Sequence, residues 1–143
     1  MTDTQTTPES NPIIPVTAVI QEAPFRVSLS DGEHQWAGDE PTSVGGLNTA
    51  PSPTSLLLSS LGACTSITVK MYAARKEWPL EEVVVRLTFN PYGKPEDGNL
   101  IKRDVTLIGA LSDEQRARLL QVANACPIHK VLTGKIEIET DLV

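Results

Sequence analysis

The feature that most limits how this chain can fold is the run from Ser52 to Lys76. Ser52 suits the cap position of a helix, and Pro53 suits the first helical position, where its missing N–H costs no hydrogen bond. Beyond them, Leu56, Leu57 and Leu58 put apolar side chains on more than one face, and helical spacing aligns Leu57, Leu61, Cys64 and Met71 in one stripe. A helix of roughly 24 residues is ~36 Å long, the width of a small domain. One sheet cannot cover it. A second helix or a second copy of the chain must take the rest, so a homodimer with this helix near its centre is predicted.

Short β-like runs surround that helix. Val16 to Gln21 and Phe25 to Ser30 lead to the tight-turn pair Asp31-Gly32, and Glu33 to Ala37 returns as a third strand, giving an antiparallel meander. Asp39 to Ser52, with Pro41, Gly45, Gly46 and Pro51, reads as a loop. Glu82 to Asn90 alternates Val83, Val85, Leu87 and Phe89 against Val84, Arg86 and Thr88, and Leu100 to Ala110 is its expected hairpin partner. Ser112 followed by Gln115 is a capping box opening a second helix that reaches Cys126. Pro127 to Leu132 is expected to form one further helical turn and Lys135 to Leu142 a last strand. The class is therefore α+β, with antiparallel sheets around a long helix. Residues 1–15, broken by Pro8, Pro12 and Pro15, read as a flexible arm, and 16–143 as one domain.

Charge narrows the partners. A net charge of -6 with scattered Lys and Arg argues against nucleic acid and anionic lipid, which need clustered cations. No stretch reads as a membrane span of ~20 apolar residues, and Met1 to Asn11 is polar rather than basic-then-apolar, so a cytoplasmic protein is expected. No Gly-rich phosphate loop, paired-carboxylate motif or metal-ligand spacing is present, and neither cofactor nor metal is expected.

What remains is a pair of cysteines, Cys64 and Cys126. With no Cys-x-x-Cys nearby they make neither a disulfide framework nor a zinc set. The stripe places Cys64 in the interior, where a free thiol serves either as packing or as a reactive group. Gly62, two residues earlier, costs about 1 kcal/mol against Ala in mid-helix, which points to close approach by a neighbouring element or a substrate. Cys126 precedes a Pro in a first-turn position, so its sulfur falls at a helix N-terminus, where thiolate is favoured over thiol. Leu119, Val122 and Cys126 share a face of their helix, so both sulfurs can enter one core. With Cα atoms within ~6 Å, oxidation at one sulfur is resolved by the other as a disulfide. His129, three residues past Cys126, is placed to tune that thiol or to act as an ordinary hydrogen-bonding residue.

The segment from Pro51-Ser52-Pro53-Thr54-Ser55-Leu56-Leu57-Leu58 through Leu61-Gly62-Ala63-Cys64-Thr65, with Ala125-Cys126-Pro127-Ile128-His129, resembles the OsmC/Ohr family of hydroperoxide-reducing proteins. That resemblance implies an intertwined homodimer with two active sites at the subunit interface. It implies Cys64 as the peroxidatic nucleophile, Cys126 as the resolving thiol, organic hydroperoxides as substrates, and a dithiol or lipoyl protein as reductant. Ser55, Leu57, Leu61, Met71 and His129 are the candidates for the substrate pocket. The sequence departs from the family at Pro53-Thr54-Ser55-Leu56, where relatives carry a Glu that holds an Arg beside the reactive sulfur. Arg26 and Arg103 are the candidates for that cation. The missing acid keeps open a second reading, a non-catalytic small-molecule-binding or redox-sensing protein of the same fold.

Overall fold

The computed structural model describes residues 14–143; residues 1–13 of the expected arm lie outside the described residues. The chain forms two compact units, one ending at Pro53 and the other beginning at Thr54.

The first unit is the expected meander. Strands β1 (Thr17–Ile20), β2 (Val27–Ser30) and β3 (Gln35–Gly38) pair antiparallel in that order. The β2–β3 turn is closed by Asp31, whose Oδ1 accepts the main-chain N–H groups of Glu33 at 2.9 Å and His34 at 2.6 Å. Those two donors, the His34 one first, lower its pKa to about 2. The loop after β3 is organised by Asp39. Its carboxylate accepts from the Glu40 N–H at 2.7 Å, the Thr49 N–H at 3.0 Å and the Thr49 hydroxyl at 2.6 Å. Gly46 belongs to the same loop, where a Cβ would meet the Glu40 carbonyl oxygen at 1.9 Å, so only glycine fits.

The second unit carries helix α1 (Pro53–Arg75), the hairpin β4 (Leu80–Phe89) with β5 (Ile101–Gly109), helix α2 (Asp113–Ala123) and the short helix α3 (Pro127–Thr133). The capping box forms as expected, with Ser112 and Gln115 bonding reciprocally. The core joins Val69 and Ala73 of α1 to Leu80 of β4 and to Leu119, Val122 and Ala123 of α2. Each fully buried Leu or Val there contributes about 1.5–3 kcal/mol. Burial alternates along β5, with Ile101, Arg103, Val105 and Leu107 turned inward.

Two sequence expectations need correction. The buried line of α1 is Leu61, Thr65, Val69 and Ala73, at four-residue spacing, and Leu57 (42% exposed) and Met71 (57% exposed) lie off it. Because α1 is apolar around most of its circumference, periodicity alone cannot select the face that packs. Residues 135–143 form no strand; Ile136 and Ile138 alternate as a strand would, but find no ladder partner among the described residues. By length and composition alone the helix could cross a membrane. Yet Val69 and Ala73 are in the core and the Lys70 Nζ donates to the Leu80 carbonyl at 2.7 Å, as in the core helix of an α+β protein.

Gly62 has a local explanation. A Cβ there would lie 2.8 Å from Cδ1 of Leu87, so the missing side chain admits a β4 residue against α1.

Candidate functional site

Cys126 caps α3, and its geometry follows from the residue after it. Pro127 begins the helix, leaving the His129 N–H without an intrahelical acceptor, and Cys126 Sγ accepts it at 3.2 Å. The residue has no exposed surface. The hydroxyl of Thr65, on the buried line of α1, lies 3.8 Å from the same sulfur. Thr65 also donates to the Leu61 carbonyl at 2.7 Å, so towards the sulfur its oxygen accepts from a thiol, and it donates to a thiolate only by turning from the carbonyl.

Arg103 reaches this cluster from β5. Its Nη1 donates to Thr65 Oγ1 at 3.0 Å, and its Nη2 donates to Asn124 Oδ1 at 2.8 Å and to His129 Nδ1 at 3.0 Å. A guanidinium has only donors, so His129 Nδ1 is an acceptor and the ring proton sits on Nε2. All three partners are neutral. Arg103 pairs with no carboxylate among the described residues.

These contacts decide the state of Cys126. Burial pushes its pKa up, but the His129 N–H, the Cys64 side chain, the Thr65 hydroxyl and the Arg103 charge together outweigh burial, and the net shift is downward. Cys64 is half-buried on α1, and both thiols are free. Cys64 thus lies near a shielded thiol whose anion is stabilised, and no disulfide joins the two.

A cavity of about 460 Å³ opens beside the Arg103 cluster, with Leu61, Leu100, Arg103, Leu120, His129 and Leu132 in its wall, and neither cysteine lines it. Its lining mixes aliphatic side chains with five polar ones, Asn99, Arg103, Asn124, His129 and Thr133, and suits a small ligand with both apolar and polar parts. Of the sequence candidates, Leu61 and His129 line this cavity. Met71 lines a different, shallower one of about 360 Å³ with Ile67 and Val83, and Leu57 and Ser55 line neither. Ser55, in the first turn of α1, accepts from the Ser59 hydroxyl through its carbonyl at 2.6 Å. No group of three or more metal-ligating side chains occurs among the described residues. Thr65 and Asn124 were not singled out from sequence. Arg103 was one of two candidates, and the signal that separates it was available: it has the same strand parity as Ile101, Val105 and Leu107, a cation in an inward row.

The geometry can be set beside known proteins. No curated protein is significantly similar in sequence. Among solved structures, an OsmC-like protein from Mycoplasma pneumoniae is similar over 87% of this chain and 90% of its own, with TM-score 0.73 and 22% identity. A protein from Vibrio cholerae, described as a putative organic hydroperoxide resistance protein with captopril bound in one of its active sites, is 25% identical over 90% of this chain and 91% of its own, with TM-score 0.60. An organic hydroperoxide resistance protein from Elizabethkingia anophelis matches 90% of this chain and 94% of its own at 20% identity and TM-score 0.59. The family model described as OsmC-like protein matches residues 46–141, spanning α1 with Cys64 and α3 with Cys126, and the chain belongs to that family.

Proposed function

We propose that the protein reduces organic hydroperoxides with Cys64 and Cys126 as a redox pair. The observation that supports this reading is a shielded thiol, Cys126, held among the His129 N–H, the Thr65 hydroxyl and Arg103 and interacting with the half-buried Cys64 side chain. Sγ of Cys64 attacks the outer peroxide oxygen, the O–O bond breaks, the alcohol leaves, and Cys64 becomes a sulfenic acid. Cys126 thiolate then displaces hydroxide, which leaves as water, and a disulfide joins the two residues. A dithiol or lipoyl protein returns the two electrons. The alkyl part of the substrate gains from leaving water for the aliphatic wall of the cavity, Leu61, Leu100, Leu120 and Leu132, at ~25 cal/mol per Å², which hydrogen peroxide does not.

The working form is a homodimer in the cytoplasm. Exposed Ile67 and Met71 on α1, beside the Val83 cavity, and the unpaired 135–143 stretch are apolar features suited to a second copy. Ile67→Lys is expected to shift the mass measured by light scattering towards the monomer.

Stopped-flow reduction of cumene hydroperoxide with dihydrolipoamide tests the chemistry. Wild type is expected to turn over, Cys126→Ser to stop after one equivalent as a dimedone-reactive sulfenic acid, and Cys64→Ser to be inactive. Turnover by Cys64→Ser at the wild-type rate overturns the assignment. A second reading, a non-catalytic ligand binder or redox sensor, draws on the first turn of α1, which contains no acidic residue. An apolar molecule retained in native mass spectra, with no peroxide consumed, favours it.

A further inference from the structure

We infer that the Cys64–Cys126 disulfide opens in one direction: the incoming dithiol attacks Sγ of Cys64, and Cys126 departs as the thiolate. This rests on the cysteine-pair reading and deepens it, by assigning Arg103 and Thr65 to the reductive half of the cycle as positioning residues.

Thiol–disulfide exchange has two choices of target sulfur, and the outcome depends on access and on which sulfur better carries the charge that leaves. Both criteria select the same direction here. Cys126 has no exposed surface, whereas Cys64 is only half-buried. Cys64 also lies in the middle of a 23-residue helix, whose main-chain N–H groups are committed to carbonyls one turn back. Cys126 instead precedes a helix and receives the His129 N–H at 3.2 Å.

Thr65 supplies the second donor. Its hydroxyl hydrogen points to the Leu61 carbonyl at 2.7 Å while the sulfur, 3.8 Å away, is neutral or bonded. As negative charge grows on Sγ of Cys126, the hydroxyl rotates towards it. Arg103 donates to the same hydroxyl oxygen at 3.0 Å, which makes the hydroxyl a stronger donor, and its charge is not cancelled by any of its other partners, Asn124 and His129. The His129 N–H stands in place before the bond breaks and Thr65 has only to turn its hydroxyl, so little reorganisation is needed when the charge appears.

The balance of the step is complete. A thiolate of the dithiol forms a new S–S bond to Cys64, the Cys64–Cys126 bond breaks, and its electron pair goes to Cys126. The second thiol of the reductant then attacks the mixed disulfide at the reductant's own sulfur and releases Cys64, leaving the reductant as the cyclic disulfide. Two electrons pass from the dithiol to the protein.

The test oxidises the full-length protein with diamide, which needs no peroxidase activity, and then adds either the thiolate of 5-thio-2-nitrobenzoate as a trap or dithiothreitol as reductant. Peptide mass spectrometry is expected to find the trapped adduct on Cys64. Reduction by dithiothreitol is expected to slow about three- to tenfold in Arg103→Gln, as a poorer leaving thiol predicts, and less in Arg103→Lys, which keeps the charge. Where Arg103→Gln does not fold, Thr65→Val is expected to slow the same step and Thr65→Ser to restore it. An adduct on Cys126, wild-type reduction rates in the charge-neutral and Val variants, or no diamide-formed disulfide each overturns the inference. The expected asymmetry in a protein that consumes no hydroperoxide supports the inference and removes only the peroxide substrate.

Discussion

Arg26 in the first unit and Arg103 in the second use the same local device for opposite ends. Each guanidinium donates through Nη1 to a threonine hydroxyl, at 2.8 Å to Thr49 and at 3.0 Å to Thr65. Each threonine in turn adjoins an acidic group, Asp39 in one case and Cys126 in the other. Asp39 is a permanent anion at neutral pH, and its hydrogen bonds tie one loop together. The charge on Cys126 comes and goes with pH and with chemistry, so the same kind of chain beside it becomes a reserve of donors. A guanidinium–threonine–acid chain thus serves structure where the acid is always charged, and reactivity where its charge comes and goes.

The largest expected effect is on the structural side. Asp39→Ala removes the acceptor for the Thr49 and Glu40 N–H groups, and should lower the melting temperature more than any other change in either network. Asp39→Asn isolates the electrostatic part. Thr49 first, and Glu40 after it, hold the Asp39 pKa at about 2 against an ordinary 3.8. A folded-state pKa below the unfolded one gives stability that is present above about pH 4 and is lost as pH falls towards 2. The Asn variant is expected to lose less stability than wild type over that interval in acid titrations followed by circular dichroism. Asp31, also near 2, leaves a residual slope in both. Identical acid profiles for the two proteins would falsify the role given to the charge.

On the reactive side, Arg103→Gln should raise the pKa of Cys126 while costing less in melting temperature than Asp39→Ala. Absorbance of the thiolate at 240 nm in a Cys64→Ser background reads this directly. Because the wild-type value is lowered, the associated stability is complete above about pH 8.5, the ordinary thiol pKa, and is lost as pH falls through the lowered value. The variant should lose that dependence in part. Thr65→Val should act in the same direction and by less, since the Arg103 charge and the His129 N–H remain.

Legibility in the sequence follows how local each cause is. The caps at Ser112 and Cys126 are visible because Gln115 and Pro127 stand within three residues of them. The five strands are visible from alternation and from the Asp31-Gly32 turn. The packed face of α1 is not, since Leu57, Ile67 and Met71 are as apolar as Leu61 and Val69, and only contact with β4 and α2 decides between them. Thr65 is hidden for the same reason, as its neighbour Cys64 draws attention while Thr65 takes the buried position. Asp39 reads as a solvated loop acid until Thr49, ten residues on, supplies its donors. Residues 135–142 carry strand-like alternation yet form no strand, because a ladder also needs a distant edge, which no local pattern specifies.

The smallest expected effect tests whether the two arginines truly differ. Arg26 also donates to the Thr49 carbonyl at 3.0 Å, but its contacts are solvent-exposed, and water can replace both when the guanidinium is removed. Asp39 keeps its direct bonds to Thr49 and Glu40 without it. Arg26→Gln should therefore cost at most about 1 kcal/mol in urea unfolding, with an unchanged acid profile, because an exposed donor is worth little net of its hydration. Arg103→Gln changes the ionisation of a thiol that water does not reach. A loss from Arg26→Gln as large as that from Asp39→Ala would show that the first network depends on its cation as the second does, and the contrast between a structural and a reactive chain would collapse.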